Sequence, residues 1–164
     1  MPLALRDGTA MEASHNSLIT TVTFTIDYPL FRRLCSCLFY GHTSANTSMW
    51  QTINLNDYVD SSLIDIETVK FNLSAWLGGF IHQNDTATIS LTFLNQANQM
   101  VGNVSSIGPV DNVDRSNVTS FLFRQTTGVV PAGARSVTVL VLIARTIGPI
   151  NDGYADNIGV FLYQ

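Results

Sequence analysis

Strict alternation of apolar and polar residues constrains this chain more than any other feature of its sequence. Residues 69–74 (VKFNLS) alternate at every position, and residues 88–93 (TISLTF) repeat the pattern. A period of two residues places alternate side chains on opposite faces of a β-strand, so one face is buried and the other is wet. Both segments are therefore predicted to be strands with one solvent-facing side.

Further strand candidates recur along the chain at intervals typical of an all-β domain, and polar turns containing Gly and Pro separate them. The additional candidates are residues 18–28, 34–40, 49–55, 100–105, 120–126, 136–146 and 155–163. No long helical period is present, although residues 57–66 and 111–118 are each predicted to hold a short helix. The pattern predicts an all-β fold, an antiparallel jelly-roll β-sandwich.

One segment departs from simple alternation. Residues 137–143 (VTVLVLI) are apolar on both parities, which is typical of a central strand covered on both faces. The same run, extended to Ala144, is the longest apolar stretch and is far short of the roughly 20 residues of a membrane-spanning helix.

Charge and motif content exclude several function classes. The chain has 164 residues, a net charge of -4 and a single lysine, Lys70, so it has no basic face for the phosphates of nucleic acid. It contains no H-E-x-x-H, G-x-S-x-G or phosphate-loop motif, and its three histidines, His15, His42 and His82, are scattered. We therefore predict that it is not an enzyme.

The first 38 residues differ in character from the rest. Residues 1–17 show no strand pattern, no secretory signal and few apolar anchors, so they are predicted to be poorly packed. Cys35 and Cys37 are spaced at the limit of a disulfide on one strand, and two free or separately buried thiols are the simpler interpretation. The predicted organisation is an atypical, partly unordered segment at 1–38 and a β-sandwich domain at 39–164.

Five N-glycosylation motifs indicate an extracellular setting, as part of a larger secreted protein. Composition alone would generate about 2.5 such motifs, so five is a twofold excess. The acceptor residues are Asn46, Asn72, Asn84, Asn103 and Asn117.

From about Phe39 onward the sequence resembles the galactose-binding-like jelly-roll modules of secreted proteins, which are similar to carbohydrate-binding modules. The segments "VKFNLSAWLGGF", "VVPAGARSVTVLVLIAR" and "NDGYADNIGVFL" carry the resemblance, which covers about three quarters of the chain. Where related modules open on an acidic "NGDFE"-like strand, this chain has "MPLALRDGTAMEASHNS". The resemblance implies a structural calcium at Asp156 of the final Asp-Asn pair, although the first-strand acids that would complete it have no clear counterpart. No other cofactor is expected.

A ligand site is predicted around Trp76. Its parity places the indole on the wetter face of its strand, where a sugar ring can stack while amides and acids take its hydroxyls. The predicted site comprises Trp76, His82, Asn151, Asp152 and Tyr154. The alternative is that Trp76 fills a second apolar layer, because Trp is mostly buried.

The function predicted from the sequence is a non-catalytic extracellular module that binds glycans or glycoproteins and does not insert into a membrane. The alternative is a structural or adhesion spacer without a small-molecule ligand. An accessory domain of a hydrolase is a third, weaker candidate.

Overall fold

The alternating segments form eight antiparallel strands in the computed structural model, which describes residues 38–164. A 3-10 helix (Leu55–Asp57) and a short helix α1 (Ser61–Asp65) lie between the second and third strands. The strands are β1 (Phe39–His42), β2 (Asn46–Asn54), β3 (Lys70–Gly79), β4 (Thr86–Leu94), β5 (Met100–Ile107), β6 (Ser120–Val129), β7 (Ser136–Ala144) and β8 (Asn151–Tyr163). No helix in this part of the chain is long and apolar enough to cross a membrane.

The strands assemble into two four-stranded sheets. The first sheet has the order β1-β8-β3-β6 and the second has the order β2-β7-β4-β5. Successive strands alternate between the sheets except at the β4–β5 hairpin, and this order of two interleaved Greek keys is the arrangement of a jelly roll. The predicted fold class, an antiparallel jelly-roll β-sandwich, is confirmed.

The inward-facing residues of both sheets form one apolar core. Phe71 of the first sheet and Phe93 of the second meet at its centre, with ring centroids 5.3 Å apart. All the side chains that alternation assigns to the core are buried in it: Val69, Phe71, Leu73, Ile89, Leu91, Phe93, Val137, Val139, Val141, Ile143, Ile158 and Val160.

Two local predictions were wrong. Residues 111–118 form a series of turns instead of a helix, with Ser116 and Asn117 both at positive φ. Strand β7 is central, as predicted, but the core covers only one of its faces, and Leu140 and Leu142 on the other face are 36% and 41% exposed. Apolar character on both parities therefore did not mean burial on both faces.

A β-bulge in β8 changes which of its side chains face the core. Ser74 pairs with Gly159 and Trp76 pairs with Asp156, so two steps along β3 correspond to three along β8. The extra residue adopts a left-handed conformation at Asn157, with φ of 48°. As a result, odd-numbered residues face the core before the bulge and even-numbered residues face it afterwards.

The predictions made for the start of the chain lie outside the described residues. These are the poor packing of residues 1–17, the strand at residues 18–28, and the state of Cys35 and Cys37.

Replacing Phe93 with Ala is expected to lower the free energy of unfolding by about 3–5 kcal/mol, because it removes a fully buried ring and leaves a cavity beside Phe71. Urea unfolding of the wild type and the variant measures the loss. Ile66→Ala, at a side chain that is 66% exposed, is the control and should change stability by less than about 1 kcal/mol. Equal losses in both variants would contradict the assignment of the core.

Candidate functional site

The outer face of the first sheet is rich in aromatic side chains. The register places Tyr40 beside Tyr154, and Trp76 beside Phe123, on the same side of the sheet. The rings of Trp76 and Phe123 are 5.7 Å apart, and both side chains remain more than 40% exposed. The parity prediction for Trp76 is therefore correct, and the alternative of a second apolar layer over it does not hold among the described residues.

A shallow groove of about 470 Å³ runs along this face beside the aromatic pair. Strands β3, β6 and β8 supply its sides, and the end of the chain closes one end. The residues lining this outer groove are Asn72, Ser74, Phe123, Gln125, Phe161, Leu162, Tyr163 and Gln164.

Two small residues form the floor of the outer groove. Ser74 and Gly159 are directly paired across β3 and β8, and both are buried. A Cβ atom on Gly159 would lie 3.0 Å from the ring of Phe161, a contact tighter than most real Cβ contacts. The absence of a side chain at Gly159 therefore lets the Phe161 ring lie against the Gly159 backbone, beside Ser74.

The polar groups in the groove are neutral and only loosely engaged. Asn72 Nδ2 donates to Gln125 Oε1 at 3.5 Å, a distance at which a hydrogen bond is weak. The two amides can therefore rotate toward hydroxyl groups of a ligand at little cost. No ionisable carboxylate, imidazole or ammonium group is among the lining residues.

A second aromatic cluster lies at the other end of the same face. Phe121 and Tyr154 lean together over Gly78, with ring centroids 5.8 Å apart. The Tyr154 hydroxyl donates to Asp152 Oδ1 at 3.2 Å. Burial raises the pKa of the Tyr154 phenol to about 12, and the charge of the Asp152 carboxylate acts in the same direction.

The structure brings together only part of the predicted ligand site. Trp76 and Tyr154 share the outer face, whereas His82 lies in the loop beyond the end of β3. Asn151 is fully buried, and its amide donates to the carbonyl oxygens of Ser44, Ala45 and Ile143, so its assignment to a ligand was wrong. Its role is to fix the start of β8 against the second sheet.

Asp156, at which the resemblance implies a calcium, faces outward and not into the core. The residue pairs with Trp76 on the outer face, and its Oδ1 atom accepts a hydrogen bond from the backbone N–H of Asn157 at 2.8 Å. That bond caps the bulge. Within residues 38–164, no group of three or more His, Cys, Asp or Glu side chains is placed to hold a metal ion.

The loop before β8 is held by the carboxylate of Asp85. Asp85 is fully buried, and its Oδ1 atom accepts from the N–H groups of Thr146 and Ile147 at 2.6 and 3.1 Å. Its Oδ2 atom accepts from Asp152 N–H at 2.9 Å. One carboxylate thus joins the β3–β4 loop to the segment that carries Tyr154.

Arg115 fastens the neighbouring loops at the same end of the first sheet. Its guanidinium donates to the carbonyl oxygens of Gly79, Ile81, Gln83 and Val118 at 2.8–3.0 Å, and the residue is 2% exposed. Burial lowers the pKa of the guanidinium. Arg124 and Arg135, by contrast, form ion pairs with Asp114 and Asp65.

Sequence reasoning missed most of the groove. Ser74, Phe123, Gln125, Phe161 and Tyr163 were not singled out, although all five lie in segments predicted to be strands. The alternation of Phe121 and Phe123 was the available signal, because it places two aromatic rings on one side of β6.

No protein-family model and no curated protein sequence matches this chain. Solved structures resemble it in fold. A tailspike protein of bacteriophage CBA120, described as its enzymatically active domain, is 20% identical with a TM-score of 0.53, covering 88% of this chain and 18% of that one. The structure of infectious bursal disease virus, Gx strain, is 10% identical with a TM-score of 0.53 and covers 95% of this chain and 35% of that one.

A xylan-binding CBM22-1 domain from Paenibacillus barcinonensis Xyn10C aligns more loosely. It is 12% identical with a TM-score of 0.39, over 90% of this chain and 83% of that one. The present chain spans well under half of the tailspike and viral chains. At these identities the likeness extends to the fold alone.

The raised pKa of Tyr154 predicts a loss of stability at high pH. Because the folded state holds the phenolic proton to about pH 12 and an unfolded tyrosine releases it near pH 10, this contribution is complete below about pH 10 and is lost between about pH 10 and 12. Urea unfolding across this range should show a steeper decline for the wild type than for Tyr154→Phe. Identical slopes would contradict the assignment.

Asp85→Asn is expected to lower the free energy of unfolding by about 3 kcal/mol. Only one of its two side-chain atoms can accept, so either Asp152 N–H or the N–H groups of Thr146 and Ile147 would face an amide donor. Asp156→Asn is the control, since that carboxylate lies on the open face. Comparable chemical unfolding curves for both variants would show that Asp85 does not hold the loop.

Proposed function

We propose that this module binds a neutral glycan chain in the outer groove of its first sheet and performs no chemistry on it. The observation that carries the proposal is the exposed Trp76–Phe123 pair beside a groove lined by uncharged amide and hydroxyl groups.

The aromatic rings on either side of Ser74 fit a ligand with the flat shape of a sugar ring. Phe161 and Tyr163 stand at one side of Ser74, and Phe123 stands at the other. The C–H faces of a sugar ring are apolar and flat, so they can pack on such rings, while the ring edges present hydroxyls to Asn72 and Gln125. The groove volume is within the usual range for small-ligand sites.

The uncharged side chains that line the groove favour a neutral glycan over an acidic or basic one. The lining contains Asn72, Ser74 and Gln125 as its polar side chains, together with the terminal Gln164 and the Tyr163 hydroxyl. A carboxylate or sulfate on the ligand would lose its hydration without gaining a cationic partner there. Lys70 lies at the Tyr163 end of the face, and Asp152 and Asp156 lie toward the opposite end.

The same lining supports binding without catalysis. Hydrolysis of a glycosidic bond ordinarily requires two carboxyl groups flanking it. The outer groove presents amides, hydroxyls and rings, which orient a sugar but exchange no proton with it at neutral pH. The spacer alternative gives no account of why Trp76 and Phe123 are left in solvent.

An extracellular location is part of the proposal, and the positions of the acceptor residues support it. Four of them, Asn46, Asn84, Asn103 and Asn117, are exposed. The fifth, Asn72, is half-buried in the outer groove, so a glycan attached there would compete with the ligand.

Trp76→Ala and Phe161→Ala should each weaken glycan binding by about tenfold or more. Each substitution removes an aromatic ring on which a sugar can stack, and a tenfold change in affinity corresponds to about 1.4 kcal/mol of binding free energy. A glycan array selects neutral ligands, and isothermal titration with a soluble monovalent oligosaccharide measures the dissociation constants. Trp50→Ala is the matched control, because Trp50 is exposed on the opposite sheet, and it should leave affinity unchanged.

The outcomes of that experiment are distinct. An array without a bound neutral glycan would overturn the proposal in favour of a spacer. A ligand whose affinity depends on Trp50 but not on Trp76 or Phe161 would overturn the assignment of the groove.

A further inference from the structure

The second sheet is built without charge. Its four strands, β2, β4, β5 and β7, contain no Asp, Glu, Lys, Arg or His residue. Every strand of the first sheet contains at least one such residue, for example Lys70 in β3 and Arg124 in β6. Because the whole chain has a net charge of -4, its charge is carried outside the second sheet.

The outer face of the second sheet is also apolar at its centre. Trp50 of β2 is directly paired with Leu140 of β7, and Leu142 lies two residues further along the same face. These side chains are 66%, 36% and 41% exposed, respectively. Short hydroxyl side chains surround them, including Thr52 and Thr138, whose Oγ1 atoms are hydrogen-bonded to each other at 2.8 Å.

Such a surface is unusual for a sheet that faces water. Soluble β-proteins generally place charged residues on the exposed strands and sheet edges, which discourages association. Here both edge strands, β2 and β5, lack charge, and a central strand exposes two leucines. Contiguous apolar surface rimmed by polar residues is the usual mark of an interaction site.

We propose that this face, the neutral face defined by Trp50, Leu140, Leu142 and the hydroxyl side chains around them, binds the same face of a second copy of the chain. Two copies each with a net charge of -4 repel one another, and the neutral face is a surface on which they meet without opposing like charges. Interfaces between identical subunits are depleted of charge at their centres, as this face is.

The size of the neutral face is sufficient for a specific contact between two copies. Four strands about 4.8 Å apart, each of eight or nine residues at about 3.3 Å per residue, give roughly 19 by 28 Å, or about 530 Å² per copy. The total of about 1,000 Å² is at the lower limit for a specific interface, so we expect a reversible dimer.

Dimerisation through the second sheet would leave both first sheets facing outward, on opposite sides of the pair. Each outer groove would then remain open, and the pair could engage two sites on one polymer or link two separate chains. The dimer does not depend on the proposed function, because a glycan is not needed to form it.

Sedimentation equilibrium of the unglycosylated full chain, without added glycan, tests the proposal, because a glycan on Asn46 would lie on the same face as Trp50. The wild type should form a concentration-dependent dimer, and Trp50→Lys and Leu140→Glu should each raise its dissociation constant at least about tenfold, since each would bury an unpaired charge. Val113→Lys is the control, at a loop side chain that is 76% exposed, and it should leave the constant unchanged. Melting temperatures measured at concentrations where every protein is a monomer should be unchanged, which would show that the variants fold.

Three results would overturn the proposal. A dimer that persists in both Trp50→Lys and Leu140→Glu would place the contact elsewhere, such as along an edge strand. A wild-type monomer whose Trp50 is shielded from acrylamide quenching would indicate that residues 1–37 cover the neutral face. A monomer with freely quenched Trp50 would mean that the face has no occupant in this chain.

Discussion

The buried guanidinium of Arg115 is the interaction on which the Tyr154 end of the first sheet depends. A cation removed from water costs several kcal/mol unless it is well hydrogen-bonded, and here four backbone carbonyl oxygens accept from its two terminal nitrogens, while Nε is buried without a partner. Those carbonyls come from the end of β3, the loop after it and the 111–118 turns. The close approach leaves little room, because a Cβ atom on Gly79 would lie 3.0 Å from Arg115 Nη2. Loops that would otherwise move independently are therefore fixed together beside Tyr154 and the outer face.

The fold was predictable because it depends on the local alternation of apolar and polar residues. The prediction was wrong where an apolar residue faces solvent instead of the core. Alternation in β3 and β4 identified the core residues correctly, since a strand with one buried face and one wet face alternates with a period of two. The prediction that β7 is covered on both faces was wrong at Leu140 and Leu142, because apolar residues on both faces of a strand can indicate either a second covering layer or an interface. The sequence of one chain does not distinguish these two causes of the same composition.

The candidate site was less predictable because it is assembled across strands. Asn72 and Gln125 are 53 residues apart in sequence and meet only because β3 and β6 are neighbours in the sheet. Alternation assigns each side chain to a face but does not determine which strands are adjacent. Trp76 could therefore be placed on the wet face from its own strand, whereas its partner Phe123 could not be identified. The assignment of Asn151 to the ligand site was wrong for a different reason. A polar residue in a turn-rich segment can be buried when its amide donates hydrogen bonds to several backbone carbonyls.

The bulge at Asn157 reverses the faces on which the later side chains of β8 lie. Tyr154 and Phe161 are separated by an odd number of positions, yet both face outward, because the extra residue reverses the phase of the strand between them. If the same thirteen residues ran in regular alternation without the bulge, Val160 and Leu162 would replace Phe161 and Tyr163 on the outer surface. Removing the extra residue together with the bulge would instead leave Phe161 and Tyr163 facing outward. When distant sequences are aligned, a single gap at Asn157 would therefore mark a strand that lacks the bulge but keeps the later side chains on the faces they occupy here.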